Sequence, residues 1–187
     1  MRMWLVSMLA VACLAGCASP EPALYTIKAV HGPVVSRAPK VVLLRQIALA
    51  KFLDRQQIVR SSEDFRLQVM ANDWWGEPLG AMLSRVLVEE LSQRLPGSSV
   101  YAESGAVSVS PDATVELNVQ RLDADSAGNV LLSAQAAIMF ERRRNAPVTR
   151  DFSIVVPQAT SGVPGEVAAI STAVGQLADG LATMLRR

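Results

Sequence analysis

Few side chains in this sequence have the types and spacing that catalysis or metal binding requires. The 187 residues include one histidine, His31, and two cysteines, Cys13 and Cys17. A zinc site needs three or four ligands, and His31 lies in a Gly-Pro loop with no cysteine or second histidine beside it. A Ser-His-Asp triad would have to use His31, and the sequence contains neither a Gly-x-Ser-x-Gly turn nor a GxxxxGK phosphate loop. We therefore expect no enzymatic activity, no metal and no cofactor.

One cysteine nevertheless lies in a pattern that points to covalent modification. An apolar run from Trp4 to Leu14 follows the positive Met1-Arg2 start and ends in Leu14-Ala15-Gly16-Cys17. Its length and charge order are typical of a secretory signal peptide, and the run is too short to cross a bilayer. The ending resembles the lipobox of bacterial lipoproteins, in which an aliphatic and two small residues precede an obligatory cysteine. This resemblance implies cleavage of the signal peptide, residues 1–16, and acylation of Cys17, with palmitate among the attached chains.

The predicted mature chain is electrically neutral and has no free thiol. Loss of Arg2 from the 18 basic residues leaves 17, which equals the 17 acidic residues. A neutral chain has no long-range field to attract nucleic acid, so we expect no nucleic-acid partner. Cys13 leaves with the signal peptide and lipid occupies Cys17, so neither a disulfide nor a catalytic thiol is expected. Ala18 stands where an aspartate would retain an enterobacterial lipoprotein in the inner membrane, which predicts an anchor on the periplasmic face of the outer membrane.

The first half of the mature chain predicts strands followed by a helix. Residues 17–23 form the lipidated N-terminus and a linker, and residues 24–187 form one domain. The predicted strands are Leu24–Ile27, the apolar run Val41–Ala50, and a hairpin formed by Gln57–Arg60 and Arg66–Val69. From Leu79 the apolar residues recur with a helical period, which predicts an amphipathic helix that ends at Pro96-Gly97. Its apolar face comprises Leu79, Met82, Leu83, Val86, Leu87 and Leu91.

Alternating apolar residues in the second half predict three long strands joined as an antiparallel meander. These strands cover Val115–Val119, Val130–Phe140 and Phe152–Val156. Pro164 opens a final amphipathic helix whose apolar residues recur at i, i+3 and i+7 as far as Met184. We therefore predict a single-domain α+β fold, in which a mostly antiparallel sheet of about five strands packs against two amphipathic helices.

Two segments carry a family resemblance. Phe52–Val59 and Trp75–Leu79, together with the lipobox before them, resemble the ABC-type transport auxiliary lipoprotein family. The resemblance implies an accessory subunit of an MCE-type intermembrane lipid-transport system that supports envelope integrity. Its implied partners are a periplasmic MCE-domain protein and the inner-membrane permease system of that protein. The alternative is a structural or assembly lipoprotein of an outer-membrane complex with no transport role. The sequence leaves the cargo and a homo-oligomeric state open.

Three residues are predicted to bind a partner: Asp54, Arg55 and Trp75. Asp54 and Arg55 lie in a turn, where they form either a structural ion pair or a docking edge. Trp74 and Trp75 are adjacent, so their indoles point in different directions, and the outward one is available to a partner or a lipid surface. The run Arg142–Arg144 is either a solvated strand end or a patch for phosphate head groups or an acidic partner.

Overall fold

The computed structural model describes residues 21–61, 65–104, 109–141 and 146–186. Cys17 and Arg142–Arg144 lie outside these ranges. The described chain forms nine strands and two helices. In chain order they are β1 Ala23–Tyr25, β2 Val41–Leu44, β3 Ala48–Leu49, β4 Gln57–Ser61, β5 Leu67–Trp75, α1 Leu79–Arg94, β6 Ser99–Ala102, β7 Ala113–Ala124, β8 Asn129–Phe140, β9 Val148–Pro157 and α2 Val163–Met184.

The larger sheet is built around the three long strands. Its order is β6-β2-β7-β8-β9, and the two-residue strand β3 pairs with β7 beyond β2. The predicted meander is confirmed, because β7, β8 and β9 pair antiparallel, with Val115 opposite Ile138 and Ile138 opposite Val148. Gly128 in the β7–β8 turn has φ 80°, a left-handed conformation that glycine adopts without steric cost.

The smaller sheet has the order β1-β5-β4. The predicted hairpin is confirmed as β4 and β5, with Val59 opposite Val69. β1 adds to the other edge of β5 in parallel, with Leu24 opposite Trp74. The α+β class is confirmed, but the number of strands is larger than predicted. The short strands that account for the difference pair in parallel with partners far away in the sequence, a pairing that local alternation does not indicate.

The predicted strand Val41–Ala50 is interrupted. β2 ends at Leu44 and β3 resumes at Ala48, and between them Nη1 of Arg45 forms an ion pair with Oε1 of Glu116. The segment still follows β7, since the backbone N–H groups of Arg45 and Ala50 donate to carbonyls of that strand. β6 forms in a stretch for which the sequence predicts no element.

The two helices cover the core face of the larger sheet. The predicted apolar face of α1 is confirmed, and Leu83 and Leu87 are fully buried. α2 has Pro164 in its first turn, as predicted, and packs on β8 and β9 as well as on α1. A side chain at Gly180 would collide with the ring of Phe152, which shows how closely α2 approaches β9. Within the described ranges, neither helix combines the length and apolarity needed to cross a bilayer.

Candidate functional site

The two sequence segments that carry the family resemblance meet in the interior. Leu53, Trp75 and Leu79 are each less than 10% exposed and line one enclosed space together with residues of β4 and α2. The backbone N–H of Trp75 donates to the carbonyl of Gln56 at 2.7 Å, which ties the end of β5 to the chain before β4. The apolar residues of both segments therefore hold the small sheet, α1 and α2 together.

Trp75 is a core residue, and the prediction that it is exposed to a partner is wrong. It ends β5 opposite Tyr25, and its side chain is 6% exposed. Trp74 is the partly exposed indole, and its Nε1–H donates to the carbonyl of Ala71 at 2.9 Å. Adjacent strand residues point to opposite faces, but the sequence does not indicate which face meets the core.

Asp54 and Arg55 are exposed, as predicted, and lie in the turn between β3 and β4. The turn is closed by backbone hydrogen bonds from Leu53 to Ala50 and from Arg55 to Leu53, each 2.9 Å long. The ion pair of Asp54 is weak, because its Oδ2 lies 3.8 Å from Nζ of Lys51 and both side chains are solvated. The guanidinium of Arg55 makes no ion pair with any described residue. Buried Leu53 therefore holds the turn in place, while Asp54 and Arg55 stay available.

A groove of about 570 Å³ runs beside this turn. One wall is formed by β3 and the turn, including Lys51 and Asp54, and the other by the start of α1, including Gly80 and Ser84. Polar and charged wall residues such as Lys51 and Asp54 alternate with the apolar residues Ile47, Leu49 and Pro78. The groove therefore suits a segment of another protein that carries both polar and apolar side chains.

A larger groove of about 810 Å³ opens on the outer face of the larger sheet. At its edge, Nη1 of Arg45 lies 2.8 Å from Oε1 of Glu116, and Nε of Arg45 lies 3.7 Å from Oε1 of Glu103. The polar surface continues across β7, β8 and β9, because Asn118 lies opposite Gln135 and Gln135 lies opposite Asp151. The polar residues that alternate with apolar ones along β7 are a sequence signal for this face, although none of them is among the predicted site residues.

Two carboxylates with raised pKa values, Glu90 and Glu166, lie in the interior and line neither groove. Burial raises the pKa of Glu90 to about 7, although the N–H of Val30 and the charge of Arg94 oppose the shift. Burial also raises the pKa of Glu166, against the opposing hydrogen bond from Arg60, whose Nε lies 2.5 Å from the carboxylate. Glu90 accepts a hydrogen bond from the backbone of Val30, and Glu166 pairs with Arg60 of β4. Each carboxylate therefore connects its helix to another segment, which is a structural role.

The remaining candidates give no assembled site among the described residues. His31 is exposed, and no three His, Cys, Asp or Glu side chains in the described ranges converge as metal ligands. The lipidation residue Cys17 and the arginine run Arg142–Arg144 lie outside the described ranges, so their roles stay predictions.

Comparison with known proteins assigns the chain to a family. The sequence pattern of the ABC-type transport auxiliary lipoprotein component matches residues 25–182, which include both motif segments and both grooves. The chain belongs to this family. Both segments that carry the resemblance lie within the matched residues, and Leu53, Trp75 and Leu79 from them line one space in the core.

Curated relatives and solved structures agree with this assignment. The chain is 24% identical over 192 residues to the intermembrane transport lipoprotein PqiC of Escherichia coli (strain K12), an alignment that covers 100% of this chain and 99% of the relative. The PqiC protein of Shigella flexneri matches equally. The fold is similar to a crystal structure of an uncharacterised protein, with a TM-score of 0.73, 21% identity, and coverage of 88% of this chain and 98% of that one. A Xanthomonas campestris protein gives a TM-score of 0.71 at 19% identity, with coverage of 86% and 92%.

Proposed function

We propose that this protein is an accessory subunit of an intermembrane lipid-transport system, anchored through acylated Cys17 to the periplasmic face of the outer membrane. It binds a periplasmic MCE-domain protein of an inner-membrane permease system and supports envelope integrity without catalysing a reaction. The family match over residues 25–182 is the observation that carries the proposal. The names of the two relatives, both intermembrane transport lipoproteins, support the process.

The turn of Asp54 and Arg55 is the proposed docking surface for the MCE-domain partner. Both side chains are solvated and lie on a turn that buried Leu53 attaches to the core, and a groove lined by polar and apolar residues lies beside them. Arginine contributes strongly to interfaces because its guanidinium makes several hydrogen bonds at once, and the guanidinium of Arg55 is free of ion pairs with the described residues. Trp75 has no place in this surface, because its indole is buried.

Binding assays with single alanine variants test this surface. Asp54→Ala and Arg55→Ala should each weaken capture of a periplasmic MCE-domain protein by ~2 kcal/mol, while the melting temperature stays unchanged. Lys40→Ala, an exposed charge before β2, is the matched control and should bind normally. Normal binding by both variants would place the docking surface elsewhere. Failure of the wild-type protein to bind any MCE-domain protein would favour the assembly lipoprotein instead.

Acylation and placement are tested separately. Cys17→Ser removes the thiol that accepts the diacylglyceryl group, so the variant should remain uncleaved or be released unacylated. Metabolic labelling with a radioactive fatty acid and density fractionation of the membranes provide the readouts. Normal labelling of the variant would contradict the role of Cys17, and co-fractionation of the wild-type protein with inner-membrane markers would contradict outer-membrane placement.

A further inference from the structure

Exposed apolar side chains are concentrated on the three-stranded sheet. Of the eight large apolar side chains that are exposed within the described ranges, three lie at the hairpin end of this sheet: Phe65, Leu67 and Val69. A fourth, Leu24, lies opposite Trp74 at the other end of β5. Single exposed apolar residues are normal on protein surfaces, whereas a group of them marks a surface that contacts something else. β5 is the central strand of this sheet, yet Trp75 is its one buried residue.

Phe65, at the hairpin end of β5, contributes nothing to the isolated domain. Its side chain is fully exposed, so the ring buries no apolar surface. Its φ of 56° lies in the left-handed region, which a bulky residue adopts at an energetic cost. Both properties are understandable if another surface covers the ring.

The direction of β1 relates the N-terminal end of the described chain to this hairpin. β1 pairs in parallel with β5, with Ala23 opposite Asp73, so the N-terminal end of β1 faces the hairpin end of β5. Cys17 precedes Ala23 by six residues, and Leu67 precedes Asp73 by six residues. Six extended residues span at most ~20–22 Å, and six strand residues rise by about 20 Å. An acylated Cys17 therefore keeps Ala23 within that distance of the bilayer, and the hairpin end extends about as far in the same direction.

We propose that the end of the β4–β5 hairpin, through Phe65 and Leu67, docks onto the lipid bilayer that holds the acyl chains of Cys17. This inference rests on the anchor of the proposed function. The bilayer interface supplies the apolar surroundings that the ring lacks, and short apolar side chains enter the region between head groups and acyl chains. β4 runs from the turn to the hairpin, so Asp54 and Arg55 lie at its other end and face away from the membrane.

Site-specific labelling of the acylated full-length protein tests the proposal. The processed chain carries lipid on its one remaining cysteine, so an introduced cysteine is its sole free thiol. Phe65→Cys, Leu67→Cys and Val148→Cys variants receive an environment-sensitive fluorophore and are reconstituted into phosphatidylethanolamine–phosphatidylglycerol vesicles that contain doxyl-labelled lipid. Val148 is the matched control, because it is apolar and exposed but lies at the end of β9 remote from the hairpin.

Labels at positions 65 and 67 should be quenched by the doxyl lipid several-fold more than the label at position 148. Phe65→Ser should reduce quenching at position 67 several-fold without lowering the melting temperature, since the ring is outside the core.

Unquenched labels on protein that floats with the vesicles would overturn the docking while leaving the anchor intact. Labels shielded from water but unquenched would show a protein partner or a second copy there and would also overturn it. Quenching at position 67 that persists in Phe65→Ser would show that the tether alone brings the hairpin close. Protein that does not float would refute the anchor, and the docking with it.

Discussion

Arg94 of α1 and Asp179 of α2 connect the two helices through an ion pair, with Nε 2.6 Å from Oδ1. The arginine side chain is 1% exposed. Its two Nη groups donate to the carbonyls of Val30 at 2.9 Å and Gly175 at 3.0 Å. One buried guanidinium thus joins the last turn of α1, the middle of α2 and the segment after β1.

Removal of Arg94 should destabilise the protein strongly. Arg94→Ala leaves the buried carbonyl of Gly175, the partly buried carbonyl of Val30 and the Asp179 carboxylate without their donor. The free energy of unfolding should therefore fall by ~3–5 kcal/mol. Arg85→Ala is the matched control, because Arg85 lies on the same helix with its Nη2 2.6 Å from Glu77 Oε1 and is half-exposed. That variant should lose only ~0.2–1 kcal/mol. Urea denaturation compares the two, and equal losses would contradict a structural role specific to Arg94.

The adjacent tryptophans should respond very differently to truncation. Trp75→Ala empties a position in the core and should cost ~3–5 kcal/mol of unfolding free energy. Trp74→Ala removes a partly exposed indole whose hydrogen bond is local, so it should change stability by roughly 0.5 kcal/mol or less. Thermal unfolding of the two variants is the measurement. A larger loss for Trp74→Ala would mean that the assignment of core and outer indoles is reversed.

The buried face of α1 should be sensitive to cavities. Leu83→Ala and Leu87→Ala remove side chains that are 1% and 0% exposed, so each should cost ~2–5 kcal/mol. Ala81→Ser changes an exposed position of the same helix and serves as the control. Chemical denaturation gives the values, and losses below about 0.5 kcal/mol at both leucines would contradict their burial.

Glu90 should make stability depend on pH. Burial raises its pKa from 4.5 to about 7, so the folded state holds a proton that the unfolded state releases between these values. Its stabilising contribution is therefore complete below pH 4.5 and is lost as the pH rises through about 7. Glu90→Gln mimics the protonated form, so it should match the wild-type protein at low pH and exceed it above pH 7 by roughly 3 kcal/mol.

The neighbouring residue supplies the control for this titration. Glu89→Gln makes the same substitution at an exposed position of the same helix and corrects for the effect of the amide itself. Denaturation curves at pH 4, 6 and 8 measure the difference for each variant. A pH-independent difference for Glu90→Gln would show that folding does not raise the pKa of the Glu90 carboxyl group.

The sequence by itself determined the elements whose residues interact locally. Both amphipathic helices and the three-stranded meander follow from apolar periods of 3.6 and 2, because neighbouring residues along each element share one face. The β4–β5 hairpin was predicted for the same reason. Asp54 and Arg55 were recognised as exposed turn residues from the turn chemistry of their segment.

Tertiary structure alone decided which residues that are far apart in the sequence come into contact. The parallel pairing of β1 with β5 joins segments about fifty residues apart, so the N-terminal end of β1 faces the hairpin end of β5. A pair such as Trp74-Trp75 fits a strand in either orientation, and only the position of the core places Trp75 inside. Arg94 in the last turn of a helix would be equally typical of the surface, because its burial depends on an aspartate 85 residues away and on carbonyls from two other segments. Local sequence sets the period of an element, whereas non-local contacts decide which of its faces is desolvated.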